Sequence, residues 1–180
     1  GYDPCVLAET PEITFAPGEA LPVIGDNGSG KSTLLRTLAG LQPAVDGQVF
    51  YGETSLAKLS LQELAELRSF LFTERPHQAW LKVEDILSWS LPQRGGEGIE
   101  LMQELGESLG IDKYYRREFV RLSDGQKQKV MLARSFIQET PIIFLDEPTI
   151  FLDIRVKYHV LDTIEKLAKE RNKLILYSTH

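Results

Sequence analysis

Leu21-Pro22-Val23-Ile24-Gly25-Asp26-Asn27-Gly28-Ser29-Gly30-Lys31-Ser32-Thr33-Leu34-Leu35 is the stretch on which the reading of this chain turns. An apolar run, then a glycine-rich octapeptide of the pattern G-x-x-x-x-G-K-S, then leucines at helical spacing give the order strand, loop, helix. Glycines let the backbone curl tightly, so that successive N–H groups and the positive end of the following helix converge on one point. Such a cradle suits a phosphate. Gly25, Asn27, Gly28, Ser29, Gly30, Lys31, Ser32 and Thr33 are therefore candidate contacts to a phosphorylated ligand. Lys31 is placed to reach its β- and γ-phosphates and the Ser32 hydroxyl to ligate Mg²⁺. Pro22 sits awkwardly in a buried strand, because it has no N–H to donate to a ladder.

Outward from that loop, short runs rich in β-branched and aromatic residues alternate with amphipathic stretches, the pattern of an α/β fold with a mostly parallel sheet. Strands are expected at Ile13-Thr14-Phe15, Leu21 to Ile24, Gln48 to Tyr51, Ser69 to Phe72, Ile142 to Leu145 and Leu174 to Tyr177. Gly18, Gly47 and Gly52 punctuate the early ones and predict a small antiparallel portion. Between Arg75 and Glu139 helical periodicity replaces the strand signal, with Val83-Ile86-Leu87 and Leu101-Leu105-Leu109 as apolar stripes. The expected division is an α/β core of residues 1–74 and 140–180 with an inserted helical subdomain, 75–139, interrupted by a loop at Pro92 to Gly98.

Composition narrows the class. The 180 residues are 42% hydrophobic and carry 26 acidic against 20 basic side chains, a formal charge of −6, so no global pull toward nucleic acid or anionic lipid exists. The single cysteine, Cys5, excludes an intramolecular disulfide and a Cys-based metal cluster within these residues. No apolar run reaches the ~20 residues of a membrane-spanning helix, so direct membrane insertion is not expected.

A second chemical constellation lies far along the chain. Pro141-Ile142-Ile143-Phe144-Leu145 runs into Asp146-Glu147, placing two carboxylates at the end of a buried strand, where α/β sheets hold ligands. Alone, the stretch Asp146-Glu147-Pro148-Thr149 also suits a polar turn. Beside a phosphate loop, Asp146 becomes a candidate outer ligand of Mg²⁺ and Glu147 the group that orients attacking water.

Leu122-Ser123-Asp124-Gly125-Gln126 then resembles the signature of the ATP-binding subunits of ABC transporters, L-S-G-G-Q, with Asp124 in place of the first glycine. Ser123 by itself is a good N-cap for a helix running through Val130 to Phe136. The resemblance implies more: a P-loop NTPase fold of RecA-like type, ATP and Mg²⁺ as cofactors, and ATP hydrolysis. It implies that Ser123, Gly125 and Gln126 face the γ-phosphate held by a second copy or another paired ATPase domain, so that hydrolysis is coupled to dimer closure. Asp124 adds negative charge there and opposes closure unless it turns away or pairs with a base such as Lys127. The family pattern also assigns Asp153, after Thr149-Ile150-Phe151-Leu152, to the dimer interface. His180, after Ser178-Thr179, becomes a catalytic switch histidine beside Glu147 and Lys31, and Tyr2 an aromatic stacked on adenine. Phe15 reads as core.

One position departs from the family. Where it carries a glutamine that touches Mg²⁺, after Ser69-Phe70-Leu71-Phe72, this chain has Thr73-Glu74; Thr73 is the candidate metal ligand, with Glu74 and Gln78 as alternatives. The run Ser60 to Pro76 and the signature region Leu122 to Val130 look like the subgroup that energises import of ferric siderophores, haem or cobalamin. That resemblance implies transmembrane permease subunits docked at about Arg75 to Arg121, a substrate-binding protein, and a place at the cytoplasmic face of the membrane. A soluble ABC-type ATPase acting in cluster assembly, repair or translation is the alternative. A P-loop kinase or GTPase would leave the signature unexplained. The chain stops where the family continues with further strands and a helix, which implies a fragment that binds Mg-ATP and turns over slowly.

Overall fold

The computed structural model describes residues 12–73, 80–92 and 97–179. Tyr2, Cys5, Glu74, Gln78 and His180 lie outside the described residues.

Four parallel strands form the main sheet: β1 (Ala20–Ile24), β4 (Arg68–Leu71), β5 (Ile142–Leu145) and β6 (Leu174–Thr179). They lie in the order β1-β6-β5-β4. A two-residue ladder of β2 (Phe50–Tyr51) with β3 (Thr54–Ser55) supplies the antiparallel portion. Helices α1 (Lys31–Leu38), α2 (Leu61–Leu67) and α6 (Ile154–Glu170) accompany the strands. Between β4 and β5 the described residues hold only helices and turns, notably α3 (Val83–Ser88), α4 (Glu97–Leu109) and α5 (Asp124–Ile137), apart from an isolated Lys82–Glu118 bridge.

The continuous apolar run of β5 follows from its place between two neighbours, with both faces covered. Phe144 and Leu176 turn to one face, where they meet Leu35 and Ala39 of the α1 region. Ile143, Leu145, Ile175 and Tyr177 turn to the other, against Val160, Ile164, Leu167 and Ala168 of α6 and Val130, Ala133, Phe136 and Ile137 of α5. Each fully buried Leu, Ile or Phe contributes about 1.5–3 kcal/mol relative to an exposed one. The stripes Val83/Leu87 and Leu101/Leu105/Leu109 join this second cluster, so the helical segment and the sheet share one core.

Three strand expectations need correction. Ile13-Thr14-Phe15 forms no strand among the described residues: its alternation reports burial of Phe15 against the Phe144 cluster, with Ile13 exposed, and no ladder partner is present. The strand expected at Gln48 to Tyr51 shortens to its last two residues, because only they pair across the turn at Gly52. The strand read as Ser69 to Phe72 sits one residue earlier, and Phe72 is exposed beyond its end. Pro22, by contrast, finds a natural place. β1 has only β6 as a neighbour among the described strands, and the Glu19 carbonyl accepting from Ile175 N–H fixes the parity. Alternation from Glu19 turns the Pro22 nitrogen to the open edge, where no donor is required.

Candidate functional site

Because all four strands are parallel, their carboxyl ends lie along one rim, and the chain spends its polar residues there. β1 leads into the loop 25–30, β5 into Asp146 and Glu147, β4 into Thr73, and β6 closes with Ser178 and Thr179. Gly28 and Gly30 adopt φ of 81° and 91°, a region L side chains rarely enter. Gly25 leaves room for Ser29: a Cβ there would lie 2.6 Å from the Ser29 hydroxyl. Thr33 lies in the first turn of α1, its carbonyl accepting from Thr37 and Gln42 side chains. Lys31, buried at the start of α1, donates from Nζ to the carbonyls of Gly25 at 2.7 Å and Asp26 at 2.8 Å. α1 has no acidic residue in its first turn, so its positive end is left for an anion.

Asp146 is the electrostatic centre. It is 1% exposed, and its Oδ1 accepts from Ser32 Oγ at 2.8 Å and from Ser178 Oγ at 2.9 Å. Its Oδ2 is buried without a hydrogen-bond partner. A buried carboxylate oxygen left bare costs several kcal/mol if nothing ever meets it, which points to a cation. No group of three or more His, Cys, Asp or Glu exists among the described residues to hold a metal alone. A Mg²⁺ shared between Asp146, Ser32 and ligand phosphates fits that donor set, since Mg²⁺ keeps few protein ligands in phosphate sites. The Thr73 hydroxyl sits nearby but donates at 3.4 Å to the main-chain carbonyl of Asp146.

Glu147 takes a left-handed backbone conformation, φ 50°, which costs a non-glycine residue about 1–2 kcal/mol. Neighbours fix it there. Its N–H donates to Ser178 Oγ at 2.7 Å, and the buried Gln128 donates from Nε2 to the carbonyls of Glu147 at 3.3 Å and Pro148 at 3.0 Å. Ser178 thus accepts from Glu147 while donating to Asp146, tying both carboxylate-bearing residues to β6. Replacing Gln128 by leucine strips the donor from two carbonyls, and the expected cost is about 1–3 kcal/mol, read as a lowered midpoint in thermal denaturation. An unchanged midpoint would show that the two contacts are incidental.

A cleft of about 330 Å³ opens beside this constellation, lined by Asn27, Glu147, Thr149, Lys157, Ser178 and Thr179, with Ile150. Ser123, Gly125 and Gln126 do not line it. Ser123 caps α5 in a reciprocal box with Gln126, whose side chain also donates to the Tyr114 hydroxyl at 2.8 Å. Gly125 packs close to the segment after Glu147: a Cβ would lie 3.0 Å from the Phe151 carbonyl. Asp153 caps α6 through Oδ1, accepting from Arg155 and Val156 N–H at 3.1 Å each. Gln128, the double role of Ser178 and the cleft-lining Lys157 are additions to what the sequence suggested. Gln128 and Ser178 are small signals in buried positions, and nothing local marks them as anchors.

The model of the family described as "ABC transporter" matches residues 9–150. The chain is 34% identical over 181 residues to the hemin import ATP-binding protein HmuV of Bordetella pertussis, covering 93% of this chain and 69% of that protein. It is 29% identical over 187 residues to the iron(3+)-hydroxamate import ATP-binding protein FhuC of Bacillus subtilis, covering 100% of this chain and 70% of the relative. Among solved structures, a putative ABC transporter ATP-binding protein from Pyrococcus furiosus superimposes with a TM-score of 0.82 at 26% identity, covering 100% of this chain and 87% of that one. The chain spans from 40% to 71% of the length of the curated relatives it matches. A family match across most of the chain, with the strand-end site in place, shows that it belongs to the ABC transporter family, as an ATP-binding component.

Proposed function

We propose that the chain binds Mg-ATP at the rim of the sheet and hydrolyses it as the motor of a membrane transporter. The observation that carries this is the pairing of Asp146, with a bare buried Oδ2 and Ser32 on its other oxygen, with a Glu147 backbone held by Ser178 and Gln128. Mg²⁺ neutralises phosphate charge when bound. The protein's own part is positional. The loop N–H groups and Lys31 hold the phosphates, while Glu147 orients a water and accepts its proton as the new P–O bond forms and the bond to the ADP oxygen breaks.

Residues 75–139 are proposed as the helical subdomain and 1–74 with 140–180 as the nucleotide core. Two copies are proposed to close face to face, Ser123, Gly125 and Gln126 of one meeting the nucleotide of the other. That reading agrees with a signature that does not line the chain's own cleft. Tyr2, His180, Thr73 and Asp153 keep their proposed places at adenine, γ-phosphate, metal and interface. Permease docking is proposed at the open groove of about 530 Å³ whose walls include Trp80, Leu81, Arg116, Arg117 and Arg121, where exposed apolar and cationic side chains meet. The proposed cargo class is ferric siderophore, haem or cobalamin, delivered by a substrate-binding protein at the other side of the membrane. These assignments are supported by the run Ser60 to Pro76 and the kinship to FhuC and HmuV. The test is co-purification, in mild detergent with Mg-ATP, from native cells. A polytopic membrane protein recovered in stoichiometric amount is the expected result, and recovery of soluble partners or ribosomes alone would overturn the transporter reading.

A further inference from the structure

Lys157 lies in the first turns of α6, four residues beyond the Asp153 cap, its N–H donating to the Asp153 carbonyl at 2.8 Å. Nothing in the helix explains a cation there. The N-terminal end of a helix favours negative charge, and α6 has no acid in its first turn. At the i±4 positions stand Asp153, whose carboxylate is committed to capping, and the apolar Leu161. No salt bridge holds Lys157 among the described residues, although several bind Lys166 and Arg171 further along the chain.

What Lys157 does share is a wall of the 330 Å³ cleft with Asn27, Glu147, Ser178 and Thr179. Lys31 is not part of that wall; its ammonium is seated on the Gly25 and Asp26 carbonyls. Lys157 is therefore the one cation lining the cleft among the described residues. We infer that Lys157 holds the orthophosphate released when the terminal phosphoryl of ATP is cleaved, an assignment that rests on the hydrolytic reading above. The freed anion leaves the loop beside Glu147, whose carboxylate repels it, and a cation lining the same cleft supplies the compensating attraction. With water occupying about 30 Å³ per molecule, the cleft accommodates the anion together with several waters. ADP, held by the loop, has no need of this contact.

The test is equilibrium binding of orthophosphate to the protein saturated with Mg-ADP, followed by ³¹P NMR, with Mg-ADP affinity measured separately. Lys157→Met is expected to weaken orthophosphate binding about tenfold and leave Mg-ADP affinity within about twofold, as for loss of one charged hydrogen bond. Lys157→Arg is expected to restore most of it. The inference is overturned if Lys157→Met binds orthophosphate as the parent does, if Mg-ADP affinity falls in parallel, or if arginine fails to rescue. Failure of the parent to bind Mg-ADP at all would instead remove the hydrolytic reading, and this inference with it.

Discussion

Lys31→Ala is expected to weaken Mg-ATP binding by at least about two orders of magnitude, the largest effect any single substitution should have on affinity. The ammonium is buried at the base of the loop and its hydrogen bonds are to loop carbonyls at 2.7 and 2.8 Å. Truncation therefore acts twice. It removes the cation that meets the phosphates, worth about 1.5–3 kcal/mol for each charged hydrogen bond, and leaves Gly25 and Asp26 carbonyls without their donor. About 3 kcal/mol corresponds to a Kd raised more than a hundredfold. Titration of the variant with a fluorescent ATP analogue in the presence of Mg²⁺ checks it. Affinity equal to the parent's would remove the loop from the nucleotide site.

Glu147→Gln is expected to lower the rate of hydrolysis by about three orders of magnitude while keeping Mg-ATP affinity within a few-fold. A positioned base contributes about 10²–10⁴ to such a reaction, and the amide keeps the size of the carboxylate without its capacity to take a proton. The backbone at this position is determined by Ser178, Gln128 and a turn from Ile150 N–H to the Glu147 carbonyl, none of which involves the side chain. Fold and binding should therefore persist. Single-turnover release of phosphate from prebound ATP separates the chemical step from binding. A variant that turns over within tenfold of the parent would show that another group orients the water.

How much of this was legible in the sequence depends on distance along the chain. The phosphate loop, the acid pair at the end of β5 and the cap of α5 are each written within a dozen residues, and glycine placement, apolar runs and Ser-x-x-Gln spacing carry their own physics. Pairing is not written that way. Ile13-Thr14-Phe15 alternates like a strand, yet alternation reports which side chains are buried and says nothing about whether a neighbour is present to accept hydrogen bonds. Ser178 was legible as part of a motif, but its bonds to Asp146 and Glu147 exist only because β6 lies next to β5. Gln128 reads as an ordinary polar position on a helix until the packing of α5 buries it to 1% exposure. Lys157 reads as a solvated helix face until the cleft is seen beside it.

The strand order has a consequence for how the protein is made. β6, encoded at 174–179, lies between β1, encoded at 20–24, and β5, encoded at 142–145. A ribosome releasing the chain from its amino end delivers the loop, then Lys31 and Ser32, then more than a hundred residues later Asp146, with no strand yet available to join them. β1 cannot enter the sheet until its only described neighbour has arrived, and contacts of such long sequence separation are slow to close. When β6 does insert, one hydroxyl, that of Ser178, binds Asp146 and Glu147 together while the phosphate loop comes alongside. Only the joining of β1, and of the phosphate loop it carries, to the rest of the sheet waits for β6; β4 and β5 pair without it.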